Sequence, residues 1–109
     1  MIKVSFFYVD KANAKFDYDY FVSKHIPFAI EKQKSLGLLQ IGLEKGIAGG
    51  TPDAPIPYIA IGHIYYDSID KFQSAMSKVG EELMADVPNF TDIEPIVQIS
   101  EVLADEILA

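Results

Sequence analysis

The chain holds two histidines, His25 and His63, its only side chains with an ordinary pKa near neutrality. A general base working at pH 7 is most cheaply one of them. His25 lies in KHIPFAIEK, on the apolar stripe of a segment with helical spacing and two residues before Pro27. A proline inside a helix lacks its own N–H and crowds the carbonyl four residues back, here that of Ser23. A kink or a clean break is expected there, at a cost of roughly 3 kcal/mol. Strain beside a titratable group is one mark of a site. The plainer use of His25 is a core histidine satisfied by a backbone carbonyl, with the proline as a simple bend. His63 stands two residues before Tyr65 in YIAIGHIYY, so the two side chains share one face of a strand. Such a pair could move a proton or orient a carbonyl or phenol. A polar contact across a subunit interface is the commoner use. The third concentration of polar groups is VPNFTDIEP. Pro88 stops a helix, Asn89 and Asp92 suit Asx turns, and Phe90 can plug the end of a core. A turn does not need Asn89, Thr91 and Asp92 together, so this stretch is also a candidate wall of a ligand cleft.

Other chemistries are weakly supported or excluded. The histidines show no HxH or HxxxH spacing, so a metal set would need carboxylates from a third element, and none is expected. The absence of Cys removes disulfides, thiolate nucleophiles and iron–sulfur ligation. No Ser stands in a GxSxG turn, and AGGTP lacks the GK[ST] ending of a phosphate loop. A formal charge of −7 and a pI near 4.6 argue against nucleic acid. All basic residues are lysine, so there is no bidentate fork for phosphates or carboxylates and strongly anionic ligands fit poorly. EKQK and GEE read as solvated helix faces. MIKVSFFYVD does not fit a signal peptide, and no stretch approaches the ~20 apolar residues of a membrane span. A soluble, cytoplasmic protein is expected.

The elements that must position these residues follow from periodicity. A length of 109 residues suits one domain, residues 1–109. Strands are predicted over 2–9, 38–45, 58–66 and 96–103. One helix runs from an N-cap at Asp17 to a stop at Gly37, with Phe16 stapled onto Phe21. A second, capped by Asp67 or Ser68 and stopped by Pro88, carries Phe72, Met76, Val79 and Leu83 as its stripe. Residues 46–57, rich in Gly and Pro, form a surface loop. In the third strand Tyr58, Ala60, Gly62, Ile64 and Tyr66 should face the helices, and Ile59, Ile61, His63 and Tyr65 the other side. The order βαββαβ predicts an α+β fold, the ferredoxin-like pattern with a four-stranded antiparallel sheet. Two helices cover one sheet face only. The other carries Phe7, Val9, Ile59 and Ile61, too apolar to stay wet, so a homodimer packed sheet to sheet is expected, enclosing a shared chamber.

MADVPNFTDIEP, KHIP and YYDSIDKFQ together resemble the EthD family of small bacterial proteins, over nearly the whole chain. His25 and Pro27 match the family's His-x-Pro, with Ile26 where Met is frequent. The resemblance implies a dimeric α+β barrel and a part in small-molecule degradation. The family is named for ethyl tert-butyl ether degradation, where a cytochrome P450 system does the oxidation, and is often described as oxidoreductase. Similar domains act as dehydratases or decarboxylases, and neighbouring barrels include cofactor-free monooxygenases. Motif matches fall on His25, Pro27, Asn89, Phe90, Thr91, Asp92 and Pro95. The expectation is a cofactor-free enzyme, of monooxygenase or dehydratase type, acting on a small apolar organic ligand in a cleft of the dimer. His25 would be its base, aided by His63 or Tyr65, with Phe21, Asn89, Phe90, Thr91 and Asp92 as ligand contacts. The alternative is a non-enzymatic module that binds or delivers the compound for a partner oxygenase. A third reading is a purely structural dimer.

Overall fold

The computed structural model describes residues 1–108. The β-branched and aromatic runs form strands β1 (Ile2–Val9), β2 (Gln40–Lys45), β3 (Tyr58–Tyr66) and β4 (Ile96–Glu101). They make one four-stranded sheet in the order β2-β3-β1-β4, every neighbouring pair antiparallel. With a helical segment after β1 and another after β3, this is the ferredoxin-like α+β fold.

The first helical segment begins where Asp17 accepts the N–H of Tyr20 at 2.9 Å. Phe16 closes the staple, its ring 5.9 Å from that of Phe21. Then come a short α turn, α1 (Tyr18–Tyr20), a π-helical turn (Phe21–His25), helix α2 (Ile26–Gln33) and a 3-10 turn (Lys34–Leu36). The segment does not break. Ile26 N–H reaches back five residues to the Phe21 carbonyl, and this wider turn moves the backbone away from where the Pro27 ring would collide. Gly37 ends the run with φ +110°, a left-handed conformation that glycine adopts without strain. Helix α3 (Ile69–Asp86) is capped by Ser68, whose hydroxyl accepts the Lys71 N–H at 3.2 Å. It passes into a 3-10 turn (Val87–Asn89) containing Pro88.

Alternation along β3 fails at one place. Tyr8 pairs with Ala60 but Val9 with Tyr58, so Ile59 is the extra residue of a bulge. Tyr58 therefore packs on Phe7, ring centroids 5.0 Å apart, on the side away from the helices. Ile59 joins the helix-side core. Both stand on the face opposite to the one that strict alternation assigns.

The core lies between helices and sheet in two parts. One gathers Val4, Ile64, Tyr66 and Ala75, the other Tyr8, Phe21, Ala60, Phe90 and Ile93. Each large side chain so buried contributes about 1.5–3 kcal/mol. Register places Lys3, Ser5, Phe7, Ile61, His63, Tyr65, Ile96 and Gln98 on the other side of the sheet, which neither helix covers.

Candidate functional site

Core packing is incomplete where the two helical segments splay over the middle of the sheet. A cavity of about 640 Å³ remains there. Its floor includes Phe6, Tyr8 and Gly62, and the first helical segment supplies Phe21, His25, Ala29 and Gln33. Helix α3 and the turn beyond it add Met76, Gly80, Val87 and Phe90. Gly62 keeps the floor low, because a Cβ there would already touch the Phe21 ring at 3.7 Å. The volume lies within the range of small-molecule sites, and the walls are mostly apolar.

His25 ends the π-helical turn and points into this space from between aromatic rings, 4.9 Å from Phe21 and 4.8 Å from Phe90. Its Nδ1 lies 2.7 Å from Oδ2 of Asp86, the last residue of α3. The side chains are only 12% and 15% exposed. The other carboxylate oxygen accepts the Tyr20 hydroxyl at 2.7 Å and the Asn89 amide at 2.9 Å. Partial burial pushes the Asp86 pKa up. The hydrogen bonds from Tyr20, Asn89 and His25 together outweigh it and hold the carboxyl below its ordinary value. An ionised carboxylate only accepts, so the proton on a neutral His25 ring belongs on Nδ1. That leaves Nε2 as the free acceptor. The arrangement is an oriented imidazole with a counter-charge behind it, in a mostly apolar cavity.

VPNFTDIEP divides its duties. Phe90, 1% exposed, packs on Phe16, Phe21 and His25 and borders the cavity. Asn89 reaches the site through Asp86. Thr91 turns away: its hydroxyl donates to the Lys15 carbonyl at 2.6 Å and accepts the Ile93 N–H at 3.1 Å. Asp92 accepts the Lys15 N–H at 3.0 Å. With Asp17 N–H on the Phe90 carbonyl at 2.7 Å, these bonds clamp the start of the first helical segment to the end of the second. Thr91 and Asp92 thus hold the wall in place while their polar atoms are engaged with backbone.

His63 and Tyr65 are together, as their spacing predicts, with ring centroids 5.6 Å apart. They stand on the uncovered side of the sheet, opposite His25. His63 still borders the cavity through its strand, because Gly42 and Gly62 leave the sheet one backbone thick there, and its ring lies over Gly42. Its Nδ1 is buried and has no hydrogen-bond partner among the described residues. Burial first, and the charge of Lys3 second, push its pKa below the ordinary histidine value, with Glu44 opposing. The structure therefore does not bring His63 or Tyr65 to the aid of His25. The cavity lined by His25 lies inside one protomer, on the helix side of the sheet, and not between two sheet faces.

Asp86 and Tyr20 are the functional residues that sequence reasoning missed. A signal for Asp86 existed. A carboxylate in the last turn of a helix faces the negative end of the dipole, so it needs a local reason to be there. Tyr20 is five residues before His25, a spacing that shares a face only once the turn is π-helical. No three His, Cys, Asp or Glu side chains converge as a metal set among the described residues.

Fold and site together define a ferredoxin-like α+β protein with an oriented histidine in a helix–sheet cavity. A model of the EthD domain matches residues 12–94, and the chain belongs to the EthD family. Among solved structures, it is similar to an EthD-like protein from Ralstonia eutropha JMP134. That match has 34% identity and a TM-score of 0.89, covering 96% of this chain and 94% of that one. An ethyl tert-butyl ether degradation family protein from Bacillus halodurans C-125 shares 19% identity and a TM-score of 0.71, covering 94% and 99%. A dimeric ferredoxin-like protein from an uncultured marine organism shares 13% identity and a TM-score of 0.58, covering 99% and 100%. These last two show the fold alone. No curated protein matches the chain.

Proposed function

We propose that the helix–sheet cavity binds a small, apolar, uncharged organic molecule, and that His25 acts on it as a general base. The observation that carries this reading is the 2.7 Å contact between His25 Nδ1 and Asp86 in the wall of an apolar cavity. Nε2 takes a proton from a carbon beside a carbonyl, or from a phenolic hydroxyl, leaving an enolate or phenolate. The imidazolium so formed is stabilised by the Asp86 carboxylate, which stays ionised. Returned to a departing hydroxyl, the proton leaves as water, which is a dehydration. Oxygenation of the same carbanion would take dioxygen as co-substrate. One of its atoms would enter the substrate and the other would leave as water with two substrate hydrogens. Family membership supports an oxidoreductase or dehydratase of this cofactor-free kind, and fold alone does not choose between them.

A homodimer joined through the uncovered sheet face is part of the proposal. Phe7, Tyr58, Ile61 and Ile96 make that face apolar, and a relative of the same fold is described as dimeric. The non-enzymatic reading, delivery of the compound to a partner oxygenase, is favoured by one observation: the cavity walls are dominated by hydrocarbon.

Deuterium exchange separates the readings. With 2-tetralone in D2O, the wild-type protein should accelerate exchange of the hydrogens beside the carbonyl, and His25→Ala should abolish the acceleration. Saturable binding without exchange would favour delivery. Equal exchange by both proteins would defeat the role given to His25.

A further inference from the structure

Apart from tyrosines, three polar side chains are buried among the described residues: Ser5, Gln33 and Thr91. Ser5 lies on the uncovered sheet face, and Thr91 spends its hydroxyl on two backbone groups. Gln33 is different. It is 2% exposed, lines the cavity, and its Oε1 accepts the Tyr66 hydroxyl at 2.6 Å. Tyr66 is wholly buried, and burial raises its pKa to about 12, so its hydroxyl keeps its proton and must donate it. Gln33 Oε1 is the acceptor it has, and this fixes which way the amide points. The nitrogen end is then left with two N–H groups and no partner among the described residues. His63 Nδ1 is the one fully buried side-chain nitrogen or oxygen without a partner among the described residues, so the Gln33 nitrogen reaches accessible space, and the residue lines the cavity, where a ligand oxygen can meet its donors.

Gln33 also stands in a definite relation to His25. His25, Ala29 and Gln33 recur every four residues, one stripe down the cavity side of the helix. At 1.5 Å per residue, the two polar ends are about 12 Å apart along the axis, with the small Ala29 leaving room between them. One end offers a fixed acceptor, the other a fixed donor. No lysine borders the cavity, whereas Glu81 and Glu94 do, which disfavours an anionic ligand.

We infer that Gln33 is a specificity residue of this cavity, its amide N–H2 donating to a carbonyl-type oxygen on a ligand whose acidic hydroxyl or C–H lies at His25. The inference rests on the cavity being a ligand site. It narrows the ligand to an elongated, uncharged, apolar molecule with an oxygen acceptor at one end and a removable proton at the other.

A matched pair of probes tests it: 6-acetyl-2-naphthol, which has both groups, and 6-ethyl-2-naphthol, which lacks the acceptor. Fluorescence titration of wild-type protein should show the acetyl probe binding about tenfold tighter, the discrimination expected of one well-made hydrogen bond. Gln33→Leu should reduce the ratio to about one by weakening the acetyl probe alone. Tyr66→Phe leaves the amide in place but unanchored, and should bring the ratio to an intermediate value. It also supplies a reading if Gln33→Leu does not fold. Equal binding of both probes by the wild type, or an unchanged ratio in the variants, overturns the role of Gln33 and leaves the cavity reading standing. Binding of neither probe removes both.

Discussion

His25 and His63 occupy opposite sides of one sheet, in opposite surroundings. His25 sits on the helical layer, its Nδ1 on a carboxylate that Tyr20 and Asn89 also hold, its ring on the wall of a cavity. His63 sits on the side without helices, its Nδ1 buried and unpartnered among the described residues, near a lysine. One ring is oriented and provided with a counter-charge. The other is desolvated beside a lysine, and Glu44 offsets this only in part. The first is the environment in which an imidazole can cycle through its charged form, and the second is one in which the charged form is penalised. The helix-covered side therefore reads as the chemical side of the sheet. The uncovered side, which carries His63 together with Phe7, Tyr58 and Ile61, is the surface proposed above for a second copy.

This contrast can be broken from either side. The largest effect should come from Phe90→Ala, which empties the wall beside His25 and is expected to destabilise the fold by about 3–5 kcal/mol in chemical denaturation. Asp86→Ala strands Tyr20, His25 and Asn89 together, and should lower stability by about 1–3 kcal/mol while removing the exchange activity on 2-tetralone. On the other side, Ile61→Asp should leave the cavity intact yet weaken self-association at least tenfold by sedimentation. An unchanged sedimentation profile would take the partner surface away from that face.

The smallest expected effect is one of pH. The folded-state pKa of His63 is depressed, so the unfolded chain binds its proton more readily. Its contribution is complete above its ordinary value of 6.5 and is lost as pH falls through the lower folded value. His63→Gln should flatten the stability profile below pH 6.5. Asp86 is depressed as well, and acts lower, around and below its ordinary value of 3.8. The two groups thus separate along the pH axis.

Much of this arrangement was legible in the residues. The limits of β1 and β3, the cap at Asp17, the Phe16 staple and the stop at Gly37 each follow from local chemistry that tertiary packing did not override. β2 begins at Gln40 rather than at residue 38, and β4 ends at Glu101 rather than at 103. Ladder ends depend on which partner residues remain opposite, and composition does not show that. The bulge at Ile59 has no glycine or proline to announce it, so two side chains were assigned to the wrong faces. Pro27 announced a disturbance without saying that a π turn would absorb it. The site was half legible. His25 and Phe90 stood out by type and place, whereas Asp86, inside MADVPNFTDIEP, had nothing in its neighbours to tie it to His25, and Gln33 looked like one more polar residue of EKQK. Long-range pairing distinguishes them, and a single sequence does not display it.

The most direct test of the central claim, that Asp86 orients His25 so that Nε2 faces the cavity as an acceptor, is the nitrogen-15 spectrum of the histidine rings at pH 8. His25 should show a protonated Nδ1 and a bare Nε2, and Asp86→Asn should redistribute that proton. A His25 ring carrying its proton on Nε2 in the wild type, or one that Asp86→Asn leaves unchanged, would contradict it.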